Sequence, residues 1–180
     1  VALDDAWAAL DDFVTIYHQT MRDVGAAGWY FFDRDYVAGL RDALGGHLHL
    51  CTVSDGRTVQ AAALFGECGG TVQFHLSGTA PEFRAASPGR LMLDEVRRWA
   101  KARGNLRLHL GGGLGAAHDA LFAFKAGFSP LRASFETWRL VVCPEAYAAA
   151  ASAWERRAGR AADPVEGFFP PWRRALTPAP

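Results

Sequence analysis

The chain has 180 residues, half of them hydrophobic, enough for one ordinary domain of roughly 100–200 residues with a core that needs no staples. Its 19 basic and 19 acidic residues cancel, so no overall field draws nucleic acid or an anionic membrane, and electrostatics names no partner. Cys51, Cys68 and Cys143 stand far apart without CxxC or Cys/His ligand spacing, which argues against a disulfide scaffold or structural zinc and points to a reducing, cytoplasmic setting.

No apolar run approaches the roughly 18–20 residues that span a bilayer. The start, VALDDAW, lacks signal-peptide regions and an initiator Met, so a chain cut or processed from something longer is expected. From about Asp4 to Val24, residues Trp7, Leu10, Phe13, Val14, Tyr17 and Met21 recur at helical spacing, with four Asp residues early, where the helix dipole favours acids. Gly25 to Gly28 break this helix, Trp29 to Phe32 form an aromatic run, and DRDYVAGLRDAL predicts a second helix ended by Gly45-Gly46. HLHLCTVS, TVQAAALFGEC and TVQFHLSGT, separated by tight turns, predict an antiparallel three-strand meander.

A helix over Arg90–Arg103 follows the loop APEFRAASPG, and LRLHLGGG predicts the next strand. A further helix is expected from near Asp119 to Gly127, then a strand from Ala133 to Val142 and a helix opened by Pro144-Glu145. The order α-α-β-β-β-α-β-α-β-α suits an α+β fold, one mixed and mainly antiparallel sheet flanked by helices. Residues 1–160 are read as a single domain. Residues 161–180, rich in Pro and aromatics without periodicity, are read as a tail packed as an extended strap or partly mobile.

Three segments could carry chemistry. Lys125 interrupts an apolar arc of Leu121, Phe122, Phe124 and Phe128 at about 100° per residue. Either it snorkels to water or it lines a cleft as a cation that stabilises an anionic ligand or a developing oxyanion. Gly111, Gly112 and Gly113, with Gly115 after them, link a strand to a helix N-terminus. They let backbone approach a ligand beside free helix-terminal N–H groups, or they make a plain turn; neither a P-loop nor GxGxxG is present. His75, Ser77 and Thr79 are expected on one face of their strand, opposite Val72, Phe74 and Leu76. They face solvent or line a cleft, where His75 is a candidate general base. The six histidines show no metal-ligand spacing, and no GxSxG elbow occurs.

FHLSGTAPEFRAASPGRLMLDEVRRWAKARG and LHLGGGLGAAHDALFAFKAGFS together resemble the Fem-type branch of GNAT-like acyltransferases, which includes the peptidoglycan interpeptide bridge aminoacyltransferases. The likeness runs from about Phe13 to Tyr147 and is most specific in LGGG with Asp119, Leu121 and Phe124-Lys125 downstream. It implies a GNAT-like fold, here similar to the second of two tandem domains, so that an upstream GNAT-like domain is expected. The implied reaction is transfer of an aminoacyl group from charged tRNA to an amine of a peptidoglycan precursor, with no metal and no bound cofactor. An acyl-CoA such as acetyl-CoA is the alternative donor. A catalytically silent binding module is the reading of another class.

By the same resemblance Lys125 stabilises the oxyanion beside Phe124, and Tyr36 touches the precursor, while Phe32 stands where the family has an arginine. The Arg84-Ala-Ala-Ser87-Pro-Gly89 stretch matches the place of the GNAT loop that holds the coenzyme A pyrophosphate against a helix N-terminus. Ser87 replaces its first Gly and Pro88 removes one donor, so an ordinary capped loop remains open as a reading. The acceptor groove is expected between the Gly111–Gly113 turn, the strand with His75 and Ser77, and the helix with Lys125.

Overall fold

The computed structural model describes residues 1–114, 117–134, 136–162 and 169–173. They fall into two compact units, Val1–Pro130 and Leu131–Pro180. The first unit holds β1 (Ala2–Leu3), α1 (Leu10–Asp23), α2 (Arg34–Leu44), β2 (Leu48–Ser54), β3 (Val59–Cys68), β4 (Thr71–Thr79), α3 (Pro88–Ala102), β5 (Arg107–His109) and α4 (Ala120–Ala126). The strands form one sheet in the order β1-β2-β3-β4-β5, antiparallel through β4, with β5 joined parallel to β4. The expected mixed, mainly antiparallel sheet flanked by helices is therefore present.

The meander forms because β3 reads Ala-Ala-Ala-Leu-Phe at its centre and is buried on both faces, the pattern of a strand covered by helices on each side. Ala61, Ala63 and Phe65 join Val72, Phe74, Met92, Leu93 and Val96 in a core under α3. Ala62 and Leu64 join Leu10, Phe13, Tyr17 and Val37 in a second core under α1 and α2. Small residues on β3 and β4 let the helices come close. At Gly78 an added Cβ would stand 2.7 Å from the Ile16 carbonyl oxygen, so α1 rests directly on β4 and only glycine fits there.

Two expectations change. The first helix begins at Leu10 rather than near Asp4. Trp7 has φ +57°, the Asp4 carboxylate accepts the Ala9 N–H at 2.7 Å, and Ala2–Leu3 pair with Cys51 and Thr52 as an edge strand. The strand expected over Ala133–Val142 is absent among the described residues. Trp138 there is 90% exposed and Val142 87%, so alternation without a covering layer supplies no burial to hold a strand. Position 135 lies outside the described residues.

In the second unit α5 (Pro144–Ala158) buries Trp154. Tyr147 packs with Phe169 at 5.6 Å and Trp172 at 5.2 Å between ring centroids. Of the tail read over 161–180, residues 163–168 and 174–180 lie outside the described residues.

Candidate functional site

β4 and β5 run side by side only over Thr71–Gln73 and Arg107–His109. His109 Nδ1 meets Gln73 Oε1 at 2.8 Å at the end of this short ladder. Beyond it the chain turns away through Gly111, at φ +73°, while β4 continues to Thr79. From Phe74 onward, therefore, the outer edge of β4 has no paired strand among the described residues, and the two strands form a fork.

Lys125 stands at that fork. Its ammonium donates to the Gly112 carbonyl at 2.9 Å and lies 5.7 Å from the centroid of the Phe74 ring. Burial holds its pKa below the usual lysine range, and the Asp119 charge opposes that shift. The ammonium is thus half-buried against an aromatic face, and snorkelling into open water does not describe it. The apolar arc is split: Phe124 packs against the core under α3, whereas Leu121 and Phe128 are exposed.

The glycine run is largely accounted for by its turn. Gly111 takes the positive φ, and an added Cβ on Gly113 would fall 2.1 Å from the Ala117 carbonyl and 2.3 Å from Asp119 Oδ1. The helix N-terminus that the sequence offered to a ligand is filled by the chain itself. Asp119 Oδ1 accepts the Phe122 N–H at 2.8 Å and Oδ2 accepts the Leu114 N–H at 2.9 Å. Gly115 lies outside the described residues.

On β4 the expected face is interrupted. Ala63 pairs with Ser77 and Phe65 with Phe74, so Leu64 alone opposes both His75 and Leu76. This is a β-bulge, and one extra residue reverses the alternation. Ser77 pairs with Ala63, a residue of the core under α3 that also holds Val72 and Phe74. Leu76 instead packs on the core under α1. His75 and Ser77 therefore do not share a face, and neither do Phe74 and Leu76. Desolvation lowers the His75 pKa from its ordinary value, which favours the neutral imidazole.

At the start of α3, Ser87 occupies the left-handed region at φ 52°, ψ 49°, caps with no side-chain bond, and precedes Pro88. A serine thus holds the conformation that glycine takes freely. Among the described α-helices, α3 alone has neither a side-chain cap nor an acid in its first turn, so no acid of its own offsets the positive end of its dipole, although Pro88 offers no N–H and the Arg90 N–H is bonded to the Ser87 carbonyl. Arg84 is ion-paired with Asp23 at the end of α1. Gly89 follows Pro88 in the first turn, where an added Cβ would come 4.0 Å from Thr79 Oγ1.

Tyr36 is 43% exposed on α2. It stacks on Phe32 at 4.3 Å, which stacks in turn on Tyr17 at 6.3 Å. The Tyr17 hydroxyl donates to the Tyr30 carbonyl at 2.6 Å, and burial pushes its pKa up to about 12. Phe32, in the place of the expected arginine, is thus part of this aromatic stack.

Of the residues singled out, Lys125, Phe124 and Gly111–Gly113 gather at the fork. Arg84, Ser87 and Gly89 gather at the start of α3, and Tyr36 belongs to the α1–α2 side. Phe74 under the ammonium was read only as an apolar strand residue, and the bulge was not read at all. A period of two with polar residues on both faces gives no sign of an inserted residue. Among the described residues no three of His, Cys, Asp and Glu converge as metal ligands, and no helix is long and apolar enough to cross a membrane.

A family model described as an acetyltransferase (GNAT) domain matches residues 1–125. No curated protein matches the chain. Among solved structures, a possible acetyltransferase from Clostridium difficile 630 superposes with a TM-score of 0.56 at 12% identity, covering 75% of this chain and 92% of its own. A predicted acetyltransferase from Clostridium acetobutylicum, solved with acetyl-CoA, gives 0.52 at 15% identity and covers 77% and 92%. At these identities the likeness is one of fold.

Proposed function

The chain belongs to the GNAT acetyltransferase domain family, and from that premise we propose that it transfers an acyl group from an acyl-CoA to a primary amine at the β4–β5 fork. The observation that carries this is Lys125, a half-buried ammonium at the point where the sheet opens. In the reaction the amine nitrogen attacks the thioester carbonyl carbon and its oxygen becomes an oxyanion. The intermediate then collapses to an amide while the thiolate leaves and takes up a proton. Lys125 spends one of three N–H donors on Gly112, and the others are available to that oxygen. A partly buried cation against an aromatic wall stabilises such charge more strongly than it would in bulk solvent.

The donor assignment is supported by α3. An uncapped helix start without acids, entered through a left-handed residue, suits a pyrophosphate, and Ser87 keeps the loop conformation although it is not glycine. Gly89 lets backbone approach the anion closely, whereas Arg84 contributes after parting from Asp23. A second reading follows from the Phe124-Lys125 pair of the Fem-like segment. Here the donor is charged tRNA, and the acceptor is an amine of a peptidoglycan precursor or similar peptide near Tyr36, Ser77 and the Gly111–Gly113 turn. Lys125 serves either ester in the same way.

Calorimetry with coenzyme A, alongside thiol release from acetyl-CoA with amine acceptors, separates the donors. Saturable heat and acceptor-dependent thiol release are expected. An absence of both, with transfer from aminoacyl-tRNA to a peptide amine, would overturn the acyl-CoA assignment in favour of the second reading.

A further inference from the structure

We infer that Asp119 is the positioning residue that holds the Lys125 ammonium in place. This rests on the role proposed for Lys125, although its test does not depend on turnover. One carboxylate ties the middle of the connection between β5 and α4 to the helix: Oδ2 takes the Leu114 N–H, and Oδ1 takes the Phe122 N–H in the first turn of α4. Lys125, three residues beyond Phe122, reaches back to Gly112, two residues before Leu114. The contacts close a ring through Gly112, Leu114, Asp119, Phe122 and Lys125. Within that ring Gly113 must lack a side chain, because the carboxylate occupies the space of its Cβ.

A helix cap alone would need only the Phe122 contact. The second oxygen does something different: it fixes the turn whose carbonyl receives the ammonium. Asp119 also acts by charge. The groups that meet the ammonium are the Gly112 carbonyl on the turn and the Phe74 ring on β4, while burial lowers the lysine pKa and the Asp119 charge raises it. The carboxylate thereby favours the protonated form of Lys125, the one an oxyanion requires.

The chain has two lysines, Lys101 and Lys125, so protein labelled with 13C-lysine carries its own reference. Asp119→Asn keeps an oxygen for the Phe122 N–H but loses the second acceptor and the charge. Asp119→Ser, with a shorter cap, is the companion variant. In both, the Lys125 resonance is expected to titrate at lower pH than in the wild type while Lys101 stays put. The kcat for acyl transfer falls about 10- to 100-fold with little change in donor KM, and the alkaline limb of the pH–rate profile moves to lower pH. An unchanged Lys125 titration in folded Asp119→Asn or Asp119→Ser would overturn the proposal, for a mere helix cap would weaken the fold without moving it. Chain that transfers no acyl group still gives the titration, so failure of the catalytic reading and failure of this one remain distinct.

Discussion

The two ends of the β4–β5 pair are built on opposite terms. At the closed end, Glu67 gathers Arg103 Nη2 at 2.9 Å, Asn105 Nδ2 at 2.6 Å and His49 Nε2 at 3.0 Å, and the Gly70 carbonyl accepts both Leu106 and Arg107 N–H groups. At the open end Lys125 reaches from α4 to the turn after β5, over the Phe74 ring. A carboxylate with three partners draws α3, β2, β3 and the start of β5 together. A cation with one carbonyl partner keeps donors in reserve. On the function proposed above, the end with donors in reserve is the one that would meet a ligand.

The sharpest way to break this comparison is at the open end. Lys125→Ala should lower acyl transfer by about 10²- to 10³-fold, the loss typical of one oxyanion donor, while the far-UV circular dichroism stays that of the wild type. Unchanged turnover would remove the catalytic distinction between the ends.

At the closed end the effect should appear in stability. Hydrogen bonds from Arg103, Asn105 and His49, with Arg103 first, pull the Glu67 pKa from 4.5 down to about 2. A depressed carboxylate contributes stability that is complete above its unfolded value and vanishes as pH falls through its folded one. Glu67→Gln should therefore cost about 1–2 kcal/mol at neutral pH, discounted for the open side of Arg103. In urea melts the gap to the wild type should close between about pH 4.5 and pH 2. A pH-independent gap would mean that the network is mere packing.

The smallest effect belongs to the start of α3. Ser87→Gly relieves a left-handed serine at the expense of a looser unfolded chain, for a net gain of about 0.5 kcal/mol. A drop in the urea midpoint would show that the hydroxyl, and not the backbone conformation, is what the loop needs.

The strand meander, the mixed sheet flanked by helices and the anomaly at Lys125 were legible in the sequence because each rests on a local pattern: alternation on the strands, helical spacing of apolar residues, a charge where an apolar residue was due. The failures have one kind of cause. His75 and Ser77 looked aligned because a bulge inserts a residue without marking it. The ion pair of Arg84 with Asp23 was not legible because the two lie 61 positions apart along the chain. Ala133–Val142 looked like a strand because alternation registers a face but not what covers it. Patterns along the chain report what a residue prefers; pairing across it decides what that preference meets.

The bulge on β4 and the close approach at Gly78 act together as a lock on register. Were the bulge pulled straight with Phe74 still opposite Phe65, Ser77 would take the place of Gly78 opposite Ala62, and its side chain would be turned onto the Ile16 carbonyl, which tolerates no Cβ at 2.7 Å. Strand slippage, ordinarily an easy error for a two-residue repeat, is barred by a single missing methyl. The same lock sets a rule for redesign of this sheet: any change in the number of residues between Phe74 and Gly78 must be absorbed within the bulge, so that glycine stays opposite Ala62.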